Sequence, residues 1–265
     1  MSAAPAIRAR GVRKVFTAGG REVVALGGID LDVAPGELVC LLGPSGCGKS
    51  TLLNAIAGFE RLTSGELTAL GRPVTGPGPE RAMVFQEYAL FPWMTVERNV
   101  AFGLEIAGAP PDRRGRVVDG LLDKLGLADF RDRYPKDLSG GMRQRVAIAR
   151  VLAIDSPMLL MDEPFGALDA LTRRTLQDEL LRIWSELGKT IVFVTHGIEE
   201  SIYLADRVVV MTYRPGTVKR IIPVTLPRPR DPASAEFNAL KREITALVME
   251  EQARHQADET HATAD

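Results

Sequence analysis

Short runs of continuously apolar residues recur along the chain and alternate with stretches of helical periodicity. The apolar runs cover residues 38–42, 82–85 and 158–161, and the last four residues of the strands predicted at 190–194 and 207–211. After the third run, apolar residues recur at helical spacing: Leu176, Leu180, Trp184 and Leu187. Continuously apolar strands that alternate with amphipathic helices are typical of a parallel sheet covered on both faces. The pattern therefore predicts an α/β core.

Two regions depart from this alternation. Residues 7–15 and 23–33 have partly alternating apolar positions around a Gly-containing turn, which predicts an N-terminal antiparallel β region. Residues from about 87 to 155 have helical spacing, with a helix-start signal at the prolines and aspartate of residues 110–112. We therefore expect one main domain over residues 1–225, with a helical subdomain inserted at about 87–155.

The C-terminal part has three sections of different character. Residues 227–232 alternate proline with arginine before an aspartate and a further proline, which predicts a stiff basic connector, and apolar spacing over 237–247 predicts a helix in an extension spanning 226–249. Residues 250–265 contain almost no apolar side chains. A segment of this composition cannot bury enough apolar surface to offset its ordering entropy, so we predict a disordered tail.

Composition narrows the class of protein. The chain has 265 residues, 45% of them hydrophobic, and a formal net charge of -1, so it can bury a core and lacks the strongly basic balance of a nucleic-acid-binding surface. Its two cysteines, Cys40 and Cys47, have neither metal-ligand nor redox-motif spacing, which favours a reducing compartment. The first residues lack the layout of a secretory signal, and no apolar run reaches the ~20 residues of a membrane helix. We expect neither nucleic-acid binding nor a membrane span.

Residues 43–51 carry the strongest chemical signal. They match the pattern G-x-x-x-x-G-K-[S/T] between an apolar strand and a helix-forming stretch, which is the context that a phosphate-binding loop requires. Glycines let the backbone turn its N–H groups toward phosphate oxygens, Lys49 reaches the β- and γ-phosphates, and Ser50 offers a hydroxyl to Mg²⁺. The predicted ATP-binding residues are Gly43, Pro44, Ser45, Gly46, Cys47, Gly48, Lys49, Ser50 and Thr51.

Polar residues follow three of the other predicted strands. Asp162 and Glu163 end one of them, where the aspartate can hold Mg²⁺ and the glutamate can polarise the attacking water. His196 follows another strand and can hydrogen-bond the γ-phosphate or that water, and Gln86 can ligate Mg²⁺ or position water. A lone histidine or glutamine is more often structural, so these two depend on the phosphate loop for their interpretation.

Residues 138–145, Leu-Ser-Gly-Gly-Met-Arg-Gln-Arg, add a second candidate anion site. A serine and two glycines precede a helical run, and helix N-termini with small residues bind anions. A Gly-capped helix start is the competing structural interpretation. Two phosphate sites far apart in one chain make sense when two subunits face each other and each Ser139 loop closes over the other subunit's nucleotide.

Taken together, these motifs resemble the ATP-binding cassette family, the ATPase subunits of ABC transporters, over residues 7 to 225. The resemblance implies a P-loop NTPase core of ABC-cassette type with an antiparallel β subdomain and a helical signature subdomain. It also implies an adenine-stacking role for Phe16, a contact in trans from Ser139, Gly140 and Gly141, a linking role for Asp169, and catalysis by Glu163 with His196 and Gln86. ATP and Mg²⁺ are the implied ligands, with Ser50, Gln86 and Asp162 around the metal.

Further segments resemble a narrower subgroup, the nitrate, sulfonate and taurine importer ATPases. They are residues 76–81, 90–93, 162–171, 203–207 and 214–216. This implies a homodimer on the cytoplasmic face of the inner membrane, peripherally bound to two permease subunits and served by a periplasmic or surface substrate-binding protein. Two positions depart from the family pattern, Gly197 after the histidine and Arg143 in the signature tail. Gly197 puts a contact across the dimer in question.

Three alternatives compete with an anion importer. A non-transport ABC ATPase acting on nucleic acid or a protein assembly often carries coiled-coil or zinc insertions, and none is present here. Importer subunits for sugars or polyamines usually add a regulatory β domain, for which the residues after Val224 are too few. An exporter subunit fits the subgroup segments least. The apolar residues 90–94 are either a permease contact or ordinary packing within the helical insertion.

Overall fold

The computed structural model describes residues 4–262, in which strands and helices alternate much as the apolar pattern predicts. The strands are β1 (Ile7–Ala18), β2 (Arg21–Val33), β3 (Leu38–Leu42), β4 (Ser64–Ala69), β5 (Arg72–Pro73), β6 (Arg81–Val84), β7 (Met158–Asp162), β8 (Thr190–Thr195), β9 (Arg207–Met211) and β10 (Val218–Pro223). The helices are α1 (Lys49–Ala57), α2 (Val96–Ile106), α3 (Pro111–Lys124), α4 (Gly140–Ala153), α5 (Ala170–Leu187), α6 (Ile198–Leu204) and α7 (Ala235–Ala262). Short 3-10 turns span Ala128–Phe130 and Pro135–Asp137.

The first of two compact units comprises residues 4–78 and 190–262. It contains an antiparallel sheet in the order β2-β1-β4-β5, as the alternation near the N-terminus predicts. It also contains parallel strands, because β3 pairs with β8 on one side and with β9 on the other, and β10 adds an antiparallel edge to β9. Every residue of β3 and β8 is buried. Strands covered on both faces need continuous apolar runs, which is why these two carry them.

The second unit comprises residues 79–189. Its strands β6 and β7 pair in parallel, with Val84 opposite Met161. Helices α2, α3 and α4 lie between those strands in sequence and occupy the region where we predict a helical insertion. Among the helices of residues 4–262, none combines the length and the apolar character that crossing a lipid bilayer requires.

The prediction of a disordered tail from residue 250 is wrong for residues 250–262, because α7 continues to Ala262. Among the side chains described in this part, those of residues 250–256, no apolar one is buried. Instead, the fully buried Glu251 carboxylate pairs with Lys219 of β10 at 2.7 Å and accepts a hydrogen bond from the backbone N–H of Tyr213 at 2.9 Å. A composition-based prediction of disorder does not register a buried ion pair of this kind. Residues 263–265 lie outside the described part.

The connector before α7 is held by a buried arginine. The Arg230 guanidinium donates hydrogen bonds to five carbonyl oxygens at 2.6–3.2 Å; they belong to Ile202, Tyr203, Ala205, Val224 and Leu226. Burial, reinforced by the nearby positive charge of Arg228, lowers the pKa of Arg230 to about 10, so the group remains charged at neutral pH. Arg230 thereby closes the C-terminal end of α6, whose last carbonyls need donors from outside the helix.

Replacing Arg230 with methionine is expected to lower the free energy of unfolding by about 3 kcal/mol, because the carbonyls that it serves become buried and unsatisfied. Urea denaturation followed by circular dichroism measures the change. Arg242→Met, an exposed substitution on α7, is the matched control and is expected to stay within about 0.5 kcal/mol of the unmodified protein. Equal stabilities for the two variants would contradict a holding role for Arg230.

Candidate nucleotide-binding site

The loop between β3 and α1 has a backbone conformation that favours glycine at two positions. Gly46 and Gly48 have φ angles of +76° and +94°, in the left-handed region. A Cβ at Gly48 would lie 2.8 Å from the carbonyl oxygen of Ala25, and one at Gly43 would lie 2.8 Å from the Cys47 sulfur. The predicted phosphate loop is therefore tightly wound, with β3 directly before it and the N-terminus of α1 directly after it.

Lys49 lies inside this loop with only 5% of its surface exposed. Its ammonium donates to the carbonyl oxygens of Gly43 at 2.8 Å and Pro44 at 2.9 Å. These are neutral partners, so they hold the cation in place without cancelling its charge. The Cys47 thiol is buried beside it, and burial raises the pKa of that thiol in spite of the ammonium. Cys47 is therefore a neutral packing residue, and the charge in the loop comes from Lys49.

A cavity of about 240 Å³ opens beside the loop. Its lining combines an aromatic ring, two cations and two hydroxyl-bearing side chains; the residues are Phe16, Val23, Ala25, Gly46, Gly48, Lys49, Ser50, Thr51 and Arg214. The Phe16 ring is 38% exposed, and the Lys14 ammonium lies 4.7 Å from its centroid. An exposed aromatic face together with a cationic glycine loop suits a molecule that has both a planar base and a polyphosphate. The structure thus brings Phe16 to the loop, although the two are far apart in sequence.

His196 emerges at the same sheet edge as the loop. In the parallel pairing of β3 and β8, Leu42 lies opposite Thr195, so Gly43 and His196 each follow a paired residue. The Thr195 hydroxyl accepts a hydrogen bond from the Gly197 N–H at 2.9 Å and pairs with the Glu200 carboxyl group. A Cβ at Gly197 would approach the Glu200 Cβ to 3.2 Å, which is tighter than ordinary van der Waals contact. The missing side chain at Gly197 therefore suits the close turn into α6.

The second unit gathers Gln86, Asp162 and Glu163 at the corresponding ends of two neighbouring strands. Gln86 lies two residues beyond β6, and Asp162 is the last residue of β7, which pairs with β6. Glu163 has a φ of +43°, a conformation that is costly for a residue with a side chain and that is found most often at functional positions. The turn is closed by the N–H of Gly166, which donates to the Glu163 carbonyl at 3.2 Å.

The same unit brings the Ser139 loop and Asp169 together at the N-termini of α4 and α5. The Ser139 hydroxyl caps α4 by accepting from the Met142 N–H at 3.3 Å, and the Asp169 carboxylate caps α5 by accepting from the Thr172 N–H at 3.0 Å. The hydrogen bonds from Thr172 lower the pKa of Asp169. A Cβ at Gly141 would lie 2.6 Å from the Thr172 side chain, so glycine lets the two helix starts approach.

Several residues beside these groups carry little or no signal of their own in the sequence. Tyr88 and Ala89 both have positive φ, and the Arg150 guanidinium donates to both of their carbonyls, at 3.1 and 2.6 Å. Arg143, which departs from the family pattern, donates to the Leu138 carbonyl at 2.8 Å just before Ser139. Arg214 lines the cavity, and its only signal in the sequence is the Arg-Pro-Gly segment after β9.

Comparison with known proteins agrees with this geometry. Residues 26–166 match the ABC transporter family. The chain is 53% identical over 201 residues to the taurine import ATP-binding protein TauB of Roseobacter denitrificans, covering 76% of this chain and 75% of that protein. It is 47% identical over 232 residues to the nitrate import ATP-binding protein NrtD of a Synechocystis strain, covering 88% and 87%.

Among solved structures, the dimeric ATP-binding cassette MJ0796, in a post-hydrolysis state bound to ADP and Pi, superimposes with a TM-score of 0.74 at 31% identity. The match covers 83% of this chain and 99% of that one. The chain therefore belongs to the ABC transporter family, as an ATP-hydrolysing, nucleotide-binding subunit related to import systems.

Proposed function

We propose that the chain forms a homodimer on the cytoplasmic face of the membrane, and that ATP binding and hydrolysis by this dimer drive the uptake of a small anion such as taurine, another sulfonate or nitrate. The observation that carries the choice of solute is the identity, about half of all positions, to ATP-binding proteins named for taurine and nitrate import. The cassette itself does not touch the solute. The partners would be two permease subunits and a substrate-binding protein outside the membrane.

In this proposal, the phosphate loop binds the ATP polyphosphate. The loop N–H groups and the N-terminus of α1 bind the phosphate oxygens, and the Lys49 ammonium neutralises charge on the transferred phosphoryl group. Phe16 stacks on the adenine. Lys49 keeps its position through the Gly43 and Pro44 carbonyls, which are 2.8 and 2.9 Å from its nitrogen, so little reorganisation is needed when the nucleotide arrives.

The proposed magnesium ligands are the Ser50 hydroxyl, the Gln86 amide and the Asp162 carboxylate. Hydroxyl, amide and carboxylate oxygens are the ligands that this hard cation prefers. When bound, Mg²⁺ would neutralise negative charge on the phosphates. Glu163 would accept a proton from the attacking water, and His196 would hold that water or the γ-phosphate by a hydrogen bond. The strained φ of +43° at Glu163 supports a catalytic assignment.

The homodimer completes each site in trans in this proposal. Ser139, Gly140 and Gly141 of one copy would contact the γ-phosphate held by the other, and Asp169 would link the two sites. Capping interactions at 3.3 Å for Ser139 and 3.0 Å for Asp169 place these groups at the starts of two helices, whose positive ends favour an anion. The dimer recorded for MJ0796 with ADP and Pi supports this arrangement.

The apolar segment of residues 90–94 is the proposed permease contact. Its Trp93 is 69% exposed, with its ring 5.7 Å from that of Phe91. The segment is held in shape by the buried Asn99, whose amide donates to the carbonyls of Phe91, Met94 and Thr95 at 3.0–3.2 Å. A rigid loop that presents an exposed tryptophan suits a protein interface better than internal packing.

Transport assays with the whole complex test the proposal. A tagged copy of the chain would be purified from detergent-solubilised membranes of its own cells, and the permease captured with it would be reconstituted in liposomes. We expect radiolabelled taurine, a longer sulfonate or nitrate to accumulate with ATP and the binding protein, and the Trp93→Ala chain to capture less permease. Tyr134→Ala, which removes another exposed aromatic side chain, is the control for capture. ATP-driven uptake of a sugar or polyamine but of no anion would contradict the choice of solute.

A further inference from the structure

The loop between β9 and β10, residues 212–217, is hydrogen-bonded to β2 and lies against the phosphate loop. The Gly216 N–H donates to the Ala25 carbonyl at 3.0 Å, and the Gly27 N–H donates to the Gly216 carbonyl at 2.9 Å. A Cβ at Gly216 would lie 2.2 Å from the carbonyl oxygen of Cys47, so only glycine fits there. Residue 214 is therefore held at a fixed place beside the nucleotide cavity.

The Arg214 side chain extends along that cavity. Its Nε lies 3.4 Å from the carbonyl oxygen of Gly46, in the middle of the phosphate loop, and its atoms line the cavity together with Lys49 and Ser50. Among the side chains that the structure describes, no carboxylate lies within ion-pair distance of this guanidinium. A cation whose charge is not cancelled by a neighbour attracts anions, and guanidinium geometry matches phosphate oxygens in pairs.

We propose that Arg214 binds the polyphosphate of the nucleotide as a second cation beside Lys49, and that Glu251 of α7 positions it. The inference rests on the proposed function in taking the cavity as the ATP site. It adds a binding residue from outside the phosphate loop and gives the C-terminal helix a part in nucleotide affinity. Phosphate is the favoured target because Arg214 lies at Gly46 of the phosphate loop, whereas Phe16 supplies the aromatic surface for the base.

The link from α7 runs through the residue next to Arg214. The Glu251 carboxylate, fully buried, accepts from the Tyr213 N–H at 2.9 Å and pairs with Lys219 at 2.7 Å. The Tyr213 ring also packs on the His255 ring of α7, with 4.3 Å between centroids. Burial alone would raise the pKa of Glu251, but the hydrogen bonds from Lys219 and Tyr213 outweigh it and lower that pKa. The carboxylate is therefore charged at neutral pH and holds the Tyr213 backbone firmly.

Arg214→Ala is expected to weaken ATP binding about tenfold, because one charge-assisted contact to phosphate is lost. Titration calorimetry in EDTA, with ATP, ADP and adenosine as ligands, measures the change. Adenosine affinity is expected to stay constant, and the salt dependence of ATP affinity to become shallower. Arg220→Ala, which removes an exposed arginine on β10, is the matched control and is expected to leave all three affinities unchanged.

Comparing Arg214→Ala with Lys49→Ala distinguishes the role of Arg214 from the assignment of the ATP site. If Lys49→Ala weakens ATP binding while Arg214→Ala does not, the role of Arg214 is wrong and the ATP site stands. If neither substitution changes ATP affinity, the site assignment itself fails. An equal loss for adenosine and ATP with Arg214→Ala would mean that the arginine serves the base, which also overturns the proposal.

A double-mutant cycle tests the positioning role of Glu251. Glu251→Gln is expected to weaken ATP binding about threefold in the unmodified chain and to have no further effect once Arg214 is alanine. Glu250→Gln is the control, since Glu250 also pairs with Lys219 but is mostly exposed. Circular dichroism reports whether Glu251→Gln stays folded; if it does not, His255→Ala replaces it in the same cycle. Equal losses with and without Arg214 would contradict positioning through the loop.

Discussion

Replacing Glu163 with glutamine is expected to slow ATP hydrolysis at least about 100-fold, because the amide cannot accept the proton of the attacking water. The change is isosteric and leaves the phosphate loop in the other unit untouched, so ATP binding should remain. With hydrolysis blocked, the ATP-bound homodimer should accumulate. Phosphate release measures turnover, and size-exclusion chromatography with light scattering measures the dimer at saturating ATP.

Glu66→Gln is the matched control for this experiment, since Glu66 is an exposed carboxylate on β4. It should hydrolyse ATP at the unmodified rate and show no lasting dimer. A Glu163→Gln protein that stays monomeric at saturating ATP would refute the shared-site proposal. Hydrolysis at the normal rate would show that another group accepts the proton.

Replacing Lys49 with alanine is the second substitution of large expected effect and should weaken ATP binding about 100-fold, equivalent to about 2.7 kcal/mol. The loss has two sources. The substitution removes a buried cation from the phosphate site. It also removes the hydrogen bonds, 2.8 and 2.9 Å long, that the Lys49 ammonium donates to the Gly43 and Pro44 carbonyls and that hold the loop in shape. Titration calorimetry with ATP gives the affinity directly.

Lys136→Ala provides the comparison, because Lys136 is an exposed lysine in the other unit. Its ATP affinity should equal that of the unmodified chain, whereas thermal denaturation should show that both variants are folded. Unchanged affinity in a folded Lys49→Ala protein would mean that residues 43–51 do not hold the phosphates, in spite of their backbone geometry.

The phosphate loop and the central strands could be predicted from the sequence, because they depend on residues that are close together in the chain. The phosphate loop needs left-handed glycines at Gly46 and Gly48, and glycine is the residue type that the sequence shows there. Strands β3 and β8 are buried throughout and therefore have continuous apolar runs. Because parallel strands end at one edge, the position of His196 beside the loop also followed from the apolar pattern. The roles assigned to Glu163, Ser139 and Asp169 remain proposals.

Contacts between residues far apart in the chain could not be predicted from the sequence pattern. Arg214 meets Gly46, 168 residues earlier, and nothing near Arg214 in sequence indicates that meeting. Residues 250–262 are a second example. Their composition resembles that of a disordered tail, but they are helical, and Glu251 in this helix pairs with Lys219, 32 residues earlier. Backbone preference and apolar periodicity act over a few residues and can be read in order, whereas a buried ion pair or a shared cavity exists only once the strands that carry its members are paired.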